Sequence, residues 1–211
     1  MSQTEVGQSW VPTTKLPRDA GAGLTSRRLR LRRFTGEDFP WLAAAYADHE
    51  VARFIGGTKT VDECRALFEQ RFLAYYDQHP GLGVWLTCKR DDGERIGFHL
   101  LNHIQGEPLV QVGYALLKPW WGCGYATEMC RALVHYGAAS YGLRTVVAIA
   151  NLDNHASHRV LLKSGLARKA DRSFPHAAYA AQGALAYFER DAAEWLAEFA
   201  PKEVLPGIFK G

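Results

Sequence analysis

The sequence predicts an α/β sandwich built on a mixed sheet, and three observations predict it. Runs of strand length alternate with runs of helical periodicity in the order strand, two helices, three strands, helix, strand, helix, two strands, helix. The dipeptide signal Asp91-Asp92-Gly93 joins two of those strands as a hairpin, which makes them antiparallel. Only the central strands that flank a helix need run parallel, so a regular Rossmann alternation is excluded.

Taken in order, residues 1–24 mix Pro, Gly, Thr and Gln without periodicity and are expected to form an extended or disordered arm. SRRLRLRRF then alternates, with Leu29 and Leu31 on one face and Arg28, Arg30 and Arg32 on the other. Two readings fit it: an edge strand protected by charge, or a surface for RNA or a ribosome. Thr35 precedes a helical stretch with acids in its first turn, and a second helix covers VDECRALFEQRFLAYYDQ, where Val61, Leu67, Phe68, Phe72 and Tyr75 fall near helical spacing. Residues 36–80 hold eight acids and four Lys/Arg, which is either solvated helix surface or a lining for a cationic acceptor.

GVWLTCKR, ERIGFHLLNHI and LVQVGYALLK read as three strands. The next helix places Ala126, Met129, Cys130 and Leu133 at i, i+3, i+4 and i+7, one stripe to pack on the sheet. RTVVAIA is a buried strand, and NHASHRVLLKSGL is a short helix with Asn154 at its cap and Gly165 just past its end. ARKADRSF and ALAYFER are two closing strands around a loop or lid over residues 175–183. DAAEWLAEF is a last amphipathic helix, so a single domain spans 25–199 with a tail over 200–211.

Composition narrows the function classes. Hydrophobic residues at 47% and charged residues at 22% describe a globular chain, not a disordered tail or a disulfide miniprotein. A net charge of +3 is too small to imply DNA or RNA binding by itself. No run approaches a membrane span, and the first residues hold no apolar core of signal-peptide length. Cys64, Cys88, Cys123 and Cys130 form no C-x-x-C pair and no zinc spacing, so a cytoplasmic protein with free thiols and no metal is expected.

The chemistry concentrates at Lys118–Glu128, where a strand runs through Gly122-Cys123-Gly124 into a helix. Glycine allows a close backbone approach, and the unpaired amides of a helix's first turn carry partial positive charge. Such a join is either a phosphate cradle or a tight turn that avoids a clash. A second strand ends at Asn151 and opens another helix at Asn154–Ser157, so two neighbouring parallel strands leave a cleft at their carboxyl ends.

In VGYALLKPWWGCGYATEMCRALVHYG and NLDNHASHRVLLKSGL the chain resembles the GNAT superfamily of N-acetyltransferases, and within it the RimJ/RimL-like ribosomal-protein N-terminal acetyltransferases. The resemblance spans Thr25 to Phe199. It implies a mostly antiparallel sheet of six or seven strands with a V-shaped splay, helices on both faces, and acetyl-CoA as co-substrate. It implies that Leu116 and Leu117 pair their backbone with the pantetheine arm, that Gly122, Cys123, Gly124, Tyr125, Ala126 and Thr127 wrap the diphosphate, and that Asn154 hydrogen-bonds the pantetheine. Trp121 stands where the family motif carries Gln or Arg.

By the same resemblance Ser157 is the candidate general acid; its other reading is a helix first-turn residue satisfying backbone. Relatives carry Glu where this chain has Gln111, so His99, His103 and Glu107 are the nearby candidates for a base, each histidine also readable as structural. An α-amine (pKa about 8) reaches the neutral state at pH 7 for roughly 3 kcal/mol less than a lysine amine. The expected acceptor is therefore a protein N-terminus or an amino-acid-like amine. Ribosomal protein, antibiotic, polyamine and a catalytically weak CoA-binding module remain alternatives, and homodimerisation is open.

Overall fold

The computed structural model describes residues 23–199. Seven strands form one sheet in the order β1-β2-β3-β4-β5-β7-β6. They are β1 (Leu29–Arg33), β2 (Gly83–Lys89), β3 (Arg95–His103), β4 (Val110–Leu116), β5 (Thr145–Ala150), β6 (Ala167–Arg168) and β7 (Ala186–Asp191). Every pairing is antiparallel except β4 with β5. That pair flanks a helical crossover, which reverses the chain and lets it re-enter in the same direction.

The helices are α1 (Phe39–Ala47), α2 (His49–Ala52), α3 (Val61–Leu67), α4 (Ala74–Gln78), α5 (Tyr125–His135), α6 (His155–Lys163) and α7 (Ala192–Phe199). α1, α3 and the turn that follows α3 cover one sheet face, closing Leu42, Tyr46, Phe68 and Phe72 over Val84, Leu86 and Phe98, while Tyr75 and Tyr76 of α4 join the core of the other face. α5, α6 and α7 cover the other. There Met129, Cys130 and Leu133 are fully buried with Leu161 and Trp195 against Leu101, Val146 and Phe188. The predicted α5 stripe is therefore the one the sheet covers.

The expected second helix, 61–78, is continuous but changes winding. Phe68–Leu73 is π-helical between α3 and α4. A π turn advances fewer degrees per residue, and Phe68, Phe72, Tyr75 and Tyr76 are all buried. Val61, expected on the core face, is 60% exposed. It is the first helical residue after Thr60, whose hydroxyl accepts from the Glu63 amide, in a first turn whose Val61, Asp62 and Glu63 are all exposed. The expected strand ARKADRSF is only Ala167–Arg168 plus an isolated bridge at Arg172–Leu185, with an Arg168–Asp171 ion pair closing the gap on itself.

Strand β1 is the sheet edge, with Leu29 and Leu31 buried. Two of the three outward arginines, Arg28 and Arg32, make ion pairs. Arg32 binds Asp38 through both carboxylate oxygens at 2.7 Å, and Arg95 joins at 3.3 Å. Burial works to raise the Asp38 pKa, but the Arg32 bonds and Thr35 amide prevail and hold it near 2. Leu24, at the end of the expected arm, is buried and accepts from the Leu31 amide at 2.8 Å. The rest of the arm and the 200–211 tail lie outside the described residues. Among the described residues the four cysteines are unbonded, no group of three or more ligating side chains could hold a metal, and no helix is long and apolar enough to cross a membrane.

Candidate active site

Strands β4 and β5 register at Gln111 and Val147 and part beyond that point. Past that pair, Gly113–Leu116 of β4 and Ile149–Ala150 of β5 line a gap between the two strands. A cleft of about 390 Å³ fills the splay. Its floor is Val112–Leu116, one wall is the turn into α5, and the other is the start of α6.

The turn is built by glycine. Gly122 and Gly124 have φ of +75° and +79°, a region in which any side chain is strained. A Cβ on Gly122 would meet nothing within 4 Å, so the strain is in the backbone and the space above it is open. Trp121, in the place of a polar family residue, donates its indole N–H to the Leu116 carbonyl at 2.7 Å and is 48% exposed on the rim. It pins the turn to the end of β4.

The turn is also held from behind. Glu128, in the first turn of α5, accepts from Ser26 Oγ (2.6 Å), the Arg28 amide (2.7 Å) and Arg28 Nε (2.7 Å). The same guanidinium donates to the Cys123 carbonyl at 3.1 Å and lies 4.3 Å from the Tyr125 ring centroid. Burial works to raise the Glu128 pKa, but these donors outweigh it and lower the value, so the clamp is ionised at neutral pH.

The structure brings Leu116, Gly122, Gly124, Tyr125, Ala126, Thr127, Asn154 and Ser157 together around this cleft. Leu117 and Cys123 do not line it. The Leu117 N–H donates to Ile96 at 2.9 Å, and the exposed Cys123 turns its carbonyl to Arg28. Asn154 Oδ1 caps α6 by accepting from the Ser157 amide at 3.1 Å, which leaves the carboxamide N–H groups to donate. The sequence reading missed Tyr114, Arg159 and Lys163. Tyr114 faces α5, stacks on His99 at 5.6 Å, and has the Ser157 hydroxyl beside its phenol. Burial, then the Cys130 thiol, raises the phenol pKa far above its ordinary value against the pull of Ser157, so it stays a proton donor.

His99 and His103 line neither cavity of the splay. His99 is completely buried under the start of α5, with Nδ1 2.7 Å from Thr87 Oγ1. Burial drives its pKa down to about 3, against the Ala126 backbone, so it is neutral and out of a substrate's reach. His103 pairs Nδ1 with the Tyr75 hydroxyl at 2.7 Å and faces His79 at 4.8 Å. Its pKa is lowered by burial and then by His79 and Arg71. Glu107 faces Arg172 at 3.4 Å.

A second cavity of about 480 Å³ meets the first at Phe54, Ile55, Gly113, Tyr114, Ile149 and Ala150. Gln111 lies on its wall and donates to Asn102 Oδ1 at 3.3 Å. No Asp, Glu or His is among the described residues lining it. The acids of 36–80 do not line this cavity: Asp38 is paired within the fold, and the other seven are exposed. The 175–183 loop closes this cavity. Tyr179, whose phenol accepts from the Gln105 amide at 3.2 Å, packs it onto Phe174 and Leu185.

Residues 28–167 match the acetyltransferase (GNAT) domain family. The chain belongs to the GNAT acetyltransferases. It is 32% identical over 151 residues to the uncharacterized N-acetyltransferase YoaA of Bacillus subtilis, a match covering 69% of this chain and 83% of that protein. Its fold is that of RimL, a ribosomal L7/L12 alpha-N-protein acetyltransferase solved with coenzyme A (TM-score 0.63, 19% identity, 79% of this chain and 95% of that one). It is equally that of the spermidine N-acetyltransferase of Vibrio cholerae solved with CoA and spermine (TM-score 0.63, 11% identity, 80% and 98%). Those two act on unlike amines, so the GNAT fold does not choose the acceptor.

As a GNAT enzyme the protein is an acetyl-CoA-dependent acyltransferase. Its residues fit the coenzyme: an open turn of two left-handed glycines at a helix start, the parted ends of β4 and β5, and the cations Arg159 and Lys163 on the cleft wall.

Proposed function

We propose that this enzyme acetylates primary α-amines, either peptide N-termini or amino-acid-like molecules, by direct attack. The observation that carries the reading is the acceptor cavity without Asp, Glu or His among its described lining. Such a cavity has no strong base, so it suits an amine that is already neutral in useful amount at pH 7. The pKa gap between an α-amine and a lysine amine is worth about 10²-fold in the neutral fraction.

Acetyl-CoA, when bound, supplies the thioester carbon that the amine attacks and the thiolate that leaves. The chain's own residues align and move protons. Backbone groups of Gly113–Leu116 orient the arm, and the Gly122–Thr127 turn, with Arg159 and Lys163, takes the phosphates. Ser157, with the protonated Tyr114 phenol beside it, delivers a proton toward the departing sulfur. Gln111 and Asn102 bond the amine or a water that receives its proton.

Acetyl transfer to matched peptides, one with a free α-amine and one with only a lysine amine, tests the reading. We expect kcat/KM at pH 7 to favour the α-amine by at least tenfold. A preference for the lysine amine overturns it. Gln111 in the place of a family Glu favours a second reading, a CoA-binding module with weak turnover. Thiol release that is unchanged by any amine would establish that reading instead.

A further inference from the structure

We infer that the acceptor carries a carboxylate close to its α-amine, and that Lys59 and Arg71 receive it. This rests on the α-amine reading above and narrows it to a substrate class.

Residues 36–80 are net acidic, yet they present the opposite charge to the acceptor cavity. Asp48, Glu50, Asp62, Glu63, Glu69 and Asp77 are exposed. Several are already engaged: Asp48 caps α2, Glu63 caps Thr60, and Glu50 pairs with Lys118. Lys59 and Arg71 instead line the cavity and are half-buried. They are its only charged lining residues among those described, so its wall carries two positive charges and no negative one. Neither has an ion-pair partner among the described residues. Lys59 Nζ lies 5.7 Å from the Tyr46 ring centroid, and Arg71 makes itself felt as a positive charge on His79 and His103.

The exposed Glu63 carboxylate feels Lys59, but neither cation meets a counter-charge inside the cavity, where a ligand carboxylate would supply one. The rest of the polar lining is uncharged: the amides Asn102, Gln105, Gln111, Asn151 and Gln182 and the phenols Tyr46, Tyr114 and Tyr179. Amides bond either end of a zwitterion but neutralise nothing. A polycationic acceptor would be repelled here, whereas a carboxylate would gain charge-assisted bonds. The two cations also help the chemistry. A nearby positive charge disfavours an ammonium, so an amine anchored by its carboxylate beside Lys59 and Arg71 is pushed toward its neutral, nucleophilic form without a protein base.

Two sources offer this chemistry: a free amino acid, or a peptide N-terminus with an acidic side chain next to it. The test measures acetyl transfer to a panel of free amino acids, each beside its carboxamide, and to Ser-Asp- and Ser-Asn-initiated peptides, with spermidine for comparison. Rates are compared per neutral amine, because the carboxamides have the lower pKa. We expect a preference of about tenfold or more for the carboxylate member of one pair type, which names the source. The double variant Lys59→Gln/Arg71→Gln should reduce that preference to within about twofold, with CoA affinity by calorimetry unchanged.

If α-amines are acetylated but neither pair type shows a preference, or the double variant keeps it, the carboxylate inference fails and the α-amine reading stands. If spermidine exceeds all of them, both fail. The wild-type comparison decides the matter even if the double variant does not fold.

Discussion

Replacing Glu128 with Ala removes the acceptor for three donors at once: the Ser26 hydroxyl, the Arg28 amide and the Arg28 guanidinium. Hydrogen bonds to a charged group are worth about 1.5–3 kcal/mol each when buried. This carboxylate is 17% exposed and its arginine partner 35%, so water replaces part of what is lost. Discounting for that screening gives about 1 kcal/mol per bond, or about 3 kcal/mol in all. In a domain of this size such a loss lowers Tm by about 6–12 °C.

The same change frees the Arg28 guanidinium that holds the Cys123 carbonyl, so the Gly122–Gly124 turn loses its backing. CoA affinity should fall by about tenfold, the equivalent of 1.4 kcal/mol. Thermal melting and calorimetric titration with CoA measure both effects. Arg27→Ala, at an exposed neighbour, should leave both unchanged. A Glu128→Ala protein that melts within 2 °C of the wild type (well under the estimate above) and binds CoA equally would refute the clamp.

Other outcomes follow from the same geometry. Tyr114→Phe and Ser157→Ala should each lower kcat by about 10²-fold with little change in CoA affinity, as expected for groups that move a proton; a change confined to KM would show positioning instead. His99 has its pKa depressed from 6.5 to about 3, so the native state resists protonation and stability is lost as pH falls from 6.5 toward 3. Between pH 8 and 5 the wild type should lose about 2 kcal/mol more than His99→Leu in urea unfolding. Equal slopes for the two proteins would exclude the histidine as the cause. The exposed pairs Glu50–Lys118 and Arg53–Asp153 (3.2 Å) tie the α2 region to the two cleft loops. Breaking both should change stability by less than about 1 kcal/mol and make CoA association less dependent on salt in stopped flow.

The strands other than β6, and the α5 stripe, were legible in the sequence because periods of two and 3.6 are written locally. The glycine turn was legible because positive φ demands glycine. What was not legible depends on distance or on phase. Glu128 meets Arg28 across one hundred positions, and no local signal marks that pair. The π-helical stretches Phe68–Leu73 and Tyr136–Tyr141 shift which residues share a face, so an α-helical template misplaces them. Alternation correctly put His99 and His103 on one face of β3. It could not tell that α5 seals the first and that Tyr75 takes the second. Charge counting over 36–80 gave the sign of the segment, whereas the second cavity takes its sign, among the described residues, from Lys59 and Arg71.

The central claim is that the splay between β4 and β5, with the Gly122–Gly124 turn at its mouth, is built to bind coenzyme A. Isothermal titration of folded protein with CoA tests it directly, with Gly124→Ala as the partner sample. The wild type should give saturable heat at one site per chain, and Gly124→Ala, forced into the left-handed region at +79°, should bind about tenfold more weakly or worse. No heat from folded wild-type protein at millimolar CoA, or equal affinity in the two samples, would contradict the claim.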